Sequence, residues 1–305
     1  MGHMGAGHQS QVRPPREEPG PPPAGGLLWE LVGEVRSVLT LPAATALQVA
    51  HPAVGAGVDA HSAFRTDLWG RAGRSLHSMQ LWVYGGEQAA AEGARLRHLH
   101  AHITGRDGYG RPYRALDPAL YGWVLATGYP VMRHAHRYLG RPFTADEERR
   151  LWAEWRQVGG VLGLREEDLP RTVEEFWPYY RRVLAEELEA TAVVRDLVAP
   201  DGPLPPPPGG PAPVRLLVRV AWPAVRPPLL RLRRFLITGL LPPDAREAVG
   251  LPWTPRQERR LRRFGAVVRV VVPRLPEPVR YLPVARRARA AHRRGTGGRG
   301  GRPCR

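Results

Sequence analysis

The 305-residue chain has no lysine: all 45 of its basic residues are arginine. That absence removes Schiff-base chemistry on a lysine amine and the phosphate-binding lysine of a P-loop. Cysteine is almost missing too, Cys304 being the single one. One thiol at the penultimate position allows no intramolecular disulfide, no multi-thiolate metal site and no interior cysteine nucleophile. No run of about 18 apolar residues occurs, so no membrane-spanning helix is expected. The first residues lack the apolar stretch of a secretion signal, and the expected compartment is the cytoplasm. There is also no His-Glu-x-x-His, no Glu-x-x-His, no Walker loop and no Gly-x-Ser-x-Gly. The one Gly-x-Gly-x-x-Gly match, Gly295 to Gly300, has neither a strand before it nor a helix after it. Hydrolase, kinase and dehydrogenase chemistries therefore have no anchor.

What is present is a large apolar fraction, 43% of residues, and a net charge of +17. The charge is unevenly placed. Residues 27–200 carry 20 arginines against 21 acids, residues 201–285 carry 15 arginines against five acids, and residues 286–305 carry eight arginines and no acid. Residues 1–26 read as a disordered Pro/Gly-rich leader and residues 286–305 as a disordered Arg/Gly tail. Between them lies one body, residues 27–285, divided by a Pro-rich linker at 200–213 into a unit at 27–199 and a smaller basic unit at 214–285. The tail has no interleaved aromatics to stack bases, so no specific nucleic acid is expected, and a weak contact with an anionic surface is the alternative for the Arg-rich C-terminus.

The body reads as helix almost throughout, an all-α fold. Apolar spacing predicts helices over Leu27–Leu39, Pro42–Ala50 and Leu76–Ile103. Asp117-Pro118 opens another that runs to Leu139 before Gly140. Capping-box signatures at Thr144 and Thr172 start helices reaching about Val161 and Val198, the second kinked by Pro178. Val214–Val220, Pro228–Ile237 and Pro255–Val272 follow, with prolines marking their ends.

Six of the eleven histidines fall between His51 and His102. Histidine is a common ligand of haem iron and of other metals, yet on amphipathic helices most histidines are surface or satisfied core residues. His98 and His102 share a helical face, and His100 lies opposite them beside Leu96 and Ile103. A mononuclear metal pair would use His98 and His102; a single axial ligand would be whichever histidine faces inward, and the apolar stripe slightly favours His100. Arg71, Arg74 and Ser75, at i, i+3 and i+4, share another face. Two aligned guanidinia suit carboxylates or an anionic oxygen species, and the plainer alternative is pairing with Asp67 or Glu87 in solvent.

The run Leu47-Gln48-Val49-Ala50-His51-Pro52 through Gly55, Gly57, Asp59, His61 and Phe64-Arg65 resembles the opening signature of the MpaB and latex-clearing-protein (rubber oxygenase) family. Asp67-Leu68-Trp69-Gly70-Arg71 with Arg74-Ser75 is similar to that family's next segment. So are Arg97 to Gly105, Gly110 to Pro118, Trp123 with Ala126-Thr127, Trp155-Arg156 with Gly159, Leu169-Pro170, Gly239 to Pro243 and Leu251-Pro252-Trp253. The resemblance covers roughly residues 27–285 and implies a single multi-helix domain enclosing a pocket for haem b. It also implies an oxygenase that uses dioxygen on a hydrophobic, possibly isoprenoid, small molecule. By position His100 is then the iron ligand. Arg71, Ser75, Trp123 and Thr127 line the cofactor, and Arg71, Arg74 and His61 are the candidate catalytic residues. Arg74 stands where the family carries a lysine and Ser75 where it carries a threonine; arginine stays protonated and ligates iron poorly. No glutamate lies between His51 and Arg71, leaving His61, Asp59 and Asp67 as proton-transfer candidates. The alternative reading is a helical haem or lipid binder without turnover.

Overall fold

The structure, a computed structural model, describes residues 20–63 and 65–297. The chain opens with α1 (Leu27–Val32), which buries Leu28, Trp29 and Val32. Its first free amides have no partner within the helix; Leu27 and Leu28 donate instead to the Glu154 carboxylate at 3.0 and 2.6 Å. The expected helix to Leu39 is broken: after Gly33 the chain tightens into a 3-10 segment, Val35–Thr40. Next come α2 (Leu41–Val49) and α3 (Pro52–His61), separated at His51-Pro52 as the proline rule requires.

The predicted helix over Leu76–Ile103 is two helices. Asp67 caps α4 (Leu68–Tyr84) by accepting from the Gly70 amide at 3.0 Å, so helix begins at Leu68. It ends at Gly85-Gly86, where Gly86 takes φ +54°, a left-handed conformation that ends helices cheaply in glycine. The chain then reverses into α5 (Gln88–His100), which lies along α4. A short hairpin follows that composition did not announce: β1 (Thr104–Arg106) pairs antiparallel with β2 (Pro112–Arg114). Asp107 closes it, accepting from the Tyr109 and Arg111 amides and from Arg111 Nε at 2.9, 2.9 and 2.7 Å.

Asp117 caps α6 (Pro118–Ala126), and α7 (Gly128–Leu139) continues after a change of direction at Thr127-Gly128, where one helix was expected. A β-carbon on Gly128 would come within 2.3 Å of Trp155 Cζ2, so only glycine lets this bend pack against α8 (Ala145–Val161). Both bonds of the Thr144–Glu147 capping box are present. Thr172 caps α9 (Val173–Glu186), which tolerates Pro178 in its second turn; α10 (Ala192–Val198), capped by Thr191, is a separate helix rather than a continuation.

The two helices expected after the Pro-rich segment are one. α11 (Ala212–Leu240) runs straight through Pro223, Pro227 and Pro228. α12 (Pro243–Ala248), α13 (Pro255–Val271), α14 (Glu277–Arg280) and α15 (Pro283–Gly297) complete the fold. The predicted disordered tail from residue 286 is corrected in part: to Gly297 it belongs to α15, whose Ala285 is fully buried and whose Val284 amide donates to Gln80 Oε1 of α4 at 3.1 Å. Residues 298–305 and residues 1–19 of the leader lie outside the described residues.

The centre of the core is aromatic. Trp123, Tyr129, Trp152, Phe176 and Tyr180, from α6, α7, α8 and α9, are each at most 2% exposed. Trp152 and Phe176 lie 4.6 Å apart between centroids, and Tyr129 meets Phe176 edge-on at 5.0 Å, the arrangement ring quadrupoles favour. Leu236, Ile237, Leu240 and Leu261 join the same cluster, so one core spans both sides of the Pro-rich segment.

Candidate functional site

His100 closes α5 and is half-buried, whereas His98 and His102 are exposed, their rings meeting edge-on at 6.0 Å. His100 Nδ1 lies 2.8 Å from the Leu96 carbonyl oxygen. A carbonyl can only accept, so Nδ1 carries the ring proton and donates it. In the neutral ring the lone pair is then on Nε2, the state a metal ligand needs. Tyr121 of α6 stands against this ring at 6.0 Å, and burial raises its phenol pKa. Among the described residues no three histidine, cysteine or carboxylate side chains converge on one point; a haem iron needs only one such ligand from the protein.

Arg71 is half-buried in α4, and its guanidinium has no ion pair or hydrogen bond among the described residues. Burial first, and then the charge of Arg74, push its pKa below the usual arginine value. Arg74 is different. It is exposed, and both of its terminal nitrogens donate to Asp67 Oδ2 at 3.1 Å. The alternative of pairing with Asp67 thus describes Arg74 and not Arg71. Ser75 is exposed one turn further along, and His61 is exposed at the end of α3.

Trp123 and Thr127 lie deep, 2% and 0% exposed. Trp123 is directed to α9, stacked with Tyr180 at 6.3 Å, and its indole nitrogen is buried without a hydrogen-bond partner. The Thr127 hydroxyl donates to the Val124 carbonyl at 2.8 Å. On α6 it is Tyr121 whose ring meets His100. The structure therefore separates a half-buried pair of candidates, His100 and Arg71, from an interior pair, Trp123 and Thr127, and leaves His61, Arg74 and Ser75 at the surface.

Two features had no signal in the sequence. Tyr121, beside His100, was one apolar-face residue among many. Glu187 was not singled out either, yet it reaches His51 Nε2 at 3.0 Å and accepts from Arg182 Nη1 at 2.7 Å. His51 Nδ1 accepts from the Ala53 amide at 3.2 Å, so the neutral ring must donate from Nε2 to Glu187. Both nitrogens of His51 are committed to structure. The segment from His51 to Arg71 has no glutamate of its own, and the fold brings one to its start from beyond α9. Asp59, meanwhile, is paired with Arg65 Nη1 at 2.5 Å and Asp67 with Arg74, which engages both of the acids considered there for proton transfer.

The all-α fold agrees with the family that the sequence resembles, and the family model for the catalytic domain of the ER-bound oxygenase mpaB/B′ and rubber oxygenase matches residues 29–270. The chain belongs to that family. It is also similar to two curated mycobacterial relatives, the uncharacterized protein Rv2237 of Mycobacterium tuberculosis and the uncharacterized protein Mb2261 of Mycobacterium bovis. Each is 29% identical over 160 residues, which is 52% of this chain and 56% of the relative. The matched region thus spans about half the length of these relatives. No solved structure matches.

Proposed function

We propose that the protein is a haem b-dependent oxygenase acting with dioxygen on a hydrophobic small molecule of isoprenoid character. The observation that carries this reading is the state of His100: half-buried, with Nδ1 donating to the Leu96 carbonyl and Nε2 free to bind a metal. Arg71 supplies the second part of the fit. A guanidinium kept from water without an acid opposite is stabilised by an incoming carboxylate, which a porphyrin side chain provides. When bound, the haem supplies the redox-active iron at which dioxygen is activated.

The chain's own residues have separate tasks in this reading. Leu96 fixes the His100 tautomer and ring orientation through the 2.8 Å bond. Arg71 holds the cofactor carboxylate. Tyr121 flanks His100 on the α6 side. Trp123 and Thr127 belong to the dry interior behind α6 and keep water from an apolar substrate. His61 and Arg74 form the outer rim, with Ser75 next to Arg74.

Protein purified after expression with haem supply is expected to show a Soret band. His100→Ala abolishes the band, while His98→Ala and His102→Ala keep it. An unchanged spectrum in His100→Ala, or no band in the parent protein, would sink the assignment. Oxygen uptake with prenyl substrates then separates turnover from binding alone.

A further inference from the structure

The first half of α11 leaves large aliphatic side chains in water. Leu216, Leu217 and Val220 are 64%, 68% and 71% exposed. Exposed leucines occur singly on most proteins, but a contiguous set on one helix marks a surface meant to be covered. Leu216, Val220, Pro227, Arg231 and Arg234 are four, seven, four and three residues apart, so by helical spacing they share one side of α11. That side is apolar in its first half and cationic in its second.

The cationic half has a place for a ligand. Arg231, Arg234, Phe235, Thr238, Thr254 and Gln257 line a cavity of about 340 Å³ between α11 and the start of α13. Neither Arg231 nor Arg234 has an ion-pair or hydrogen-bond partner among the described residues. Thr238 is 4% exposed and lines the same cavity. Two like charges one turn apart repel unless an anion sits between them. The opposite side of α11 is already occupied: Arg226 donates to the carbonyls of Asp201 and Gly202, Arg233 to that of Pro203, and Trp222 to that of Leu204.

Charge decides what covers the face. From Gly202 to Pro243 there are six arginines and no acid. A two-fold contact with a second copy would set this arginine-bearing side against another that likewise has no acid to pair with it. No described helix is long and apolar enough to cross a membrane. A helix with an apolar stripe, arginines and no acids is instead suited to lie in the plane of an anionic bilayer surface.

We infer that this side of α11 docks on an anionic phospholipid surface, with Leu216, Leu217 and Val220 entering the acyl boundary and the Arg231–Arg234–Thr238 cleft receiving a headgroup phosphate. The test is flotation of the full chain with vesicles of phosphatidylcholine alone and of phosphatidylcholine mixed with phosphatidylglycerol. The parent protein is expected to float with the anionic vesicles and not with the neutral ones. The triple variant Leu216→Ser/Leu217→Ser/Val220→Ser loses at least about tenfold in partition, and Arg231→Gln and Arg234→Gln lose about fivefold each. All should keep the parent circular dichroism, since the changed side chains are in water. Three results overturn the inference: no binding by the parent protein, variants that bind as well as the parent, or a parent dimer that the triple variant converts to monomer. Stabilisation by inorganic phosphate that Arg231→Gln removes, without any vesicle binding, also overturns it and assigns the cleft to a soluble phosphate.

Discussion

The aromatic layer of α6 to α9 and the first half of α11 use similar apolar material to opposite ends. In the first, Trp123, Trp152, Phe176 and Tyr180 are sealed from water, and the surrounding unit balances 20 arginines with 21 acids. In the second, Leu216, Leu217 and Val220 stand in solvent within a stretch that has arginines and no acids. The contrast gives the unpaired arginine a different meaning in each. Where acids are plentiful, a half-buried Arg71 without one stands out, and the proposed function gives it a carboxylate from outside the chain. Where acids are missing altogether, single unpaired arginines are ordinary, and only the combination of a cavity and an exposed apolar stripe singles out Arg231 and Arg234.

The contrast can be tested directly. Phe176→Ala removes a fully buried ring and should cost about 3–5 kcal/mol in denaturant unfolding; Leu216→Ala, equally a loss of apolar volume, should change stability by less than about 0.5 kcal/mol. A comparable loss for Leu216 would mean that α11 is covered from its start. The next effect lies where α7 of the aromatic layer meets the C-terminal end of α11. His134 of α7 is 6% exposed against α11, and its pKa is lowered to about 4, by burial first and then by the charge of Arg246. An unfolded histidine titrates near 6.5, so its contribution is complete above that value and is lost as the pH falls from about 6.5 to about 4. The loss approaches about 3 kcal/mol. His134→Gln should flatten that part of the stability-against-pH curve, and a curve as steep as the parent's would show that other groups carry the slope. The smallest effect is at the rim: Arg74→Ala, breaking an exposed pair with Asp67, should cost less than about 1 kcal/mol by thermal unfolding and leave the Soret band intact.

Local chemistry made much of the fold legible. The Thr144 box, the Asp117-Pro118 start and the His51-Pro52 break all depend on a few adjacent residues, and each appears where those residues stand. The misplaced boundaries depend on partners distant in sequence. The bend at Gly128 exists because the Trp155 ring fills the space a side chain would need. The prolines of α11 did not end it because much of that half faces water, which can satisfy the carbonyls they leave unpaired. The site shows the same division. Periodicity favoured His100 over its neighbours only slightly, and the bond to Leu96 adds a tautomer that spacing could not supply. Arg71 and Arg74 look equivalent in sequence, and only packing separates a paired surface arginine from a half-buried unpaired one. Glu187 lies more than a hundred positions from His51, so no local pattern joins them.

Ion pairs tie the two ends of the folded body together. Glu34 accepts from Arg280 Nε at 2.6 Å, and Arg289 Nη1 reaches Glu30 at 2.9 Å, across sequence separations of 246 and 259 residues. These pairs can close only once the C-terminal helices have been made. The same proximity places the ends of the folded body side by side, so a circular permutant that joins them through a short linker and opens the chain in the Pro-rich stretch before α11 should still reach this topology.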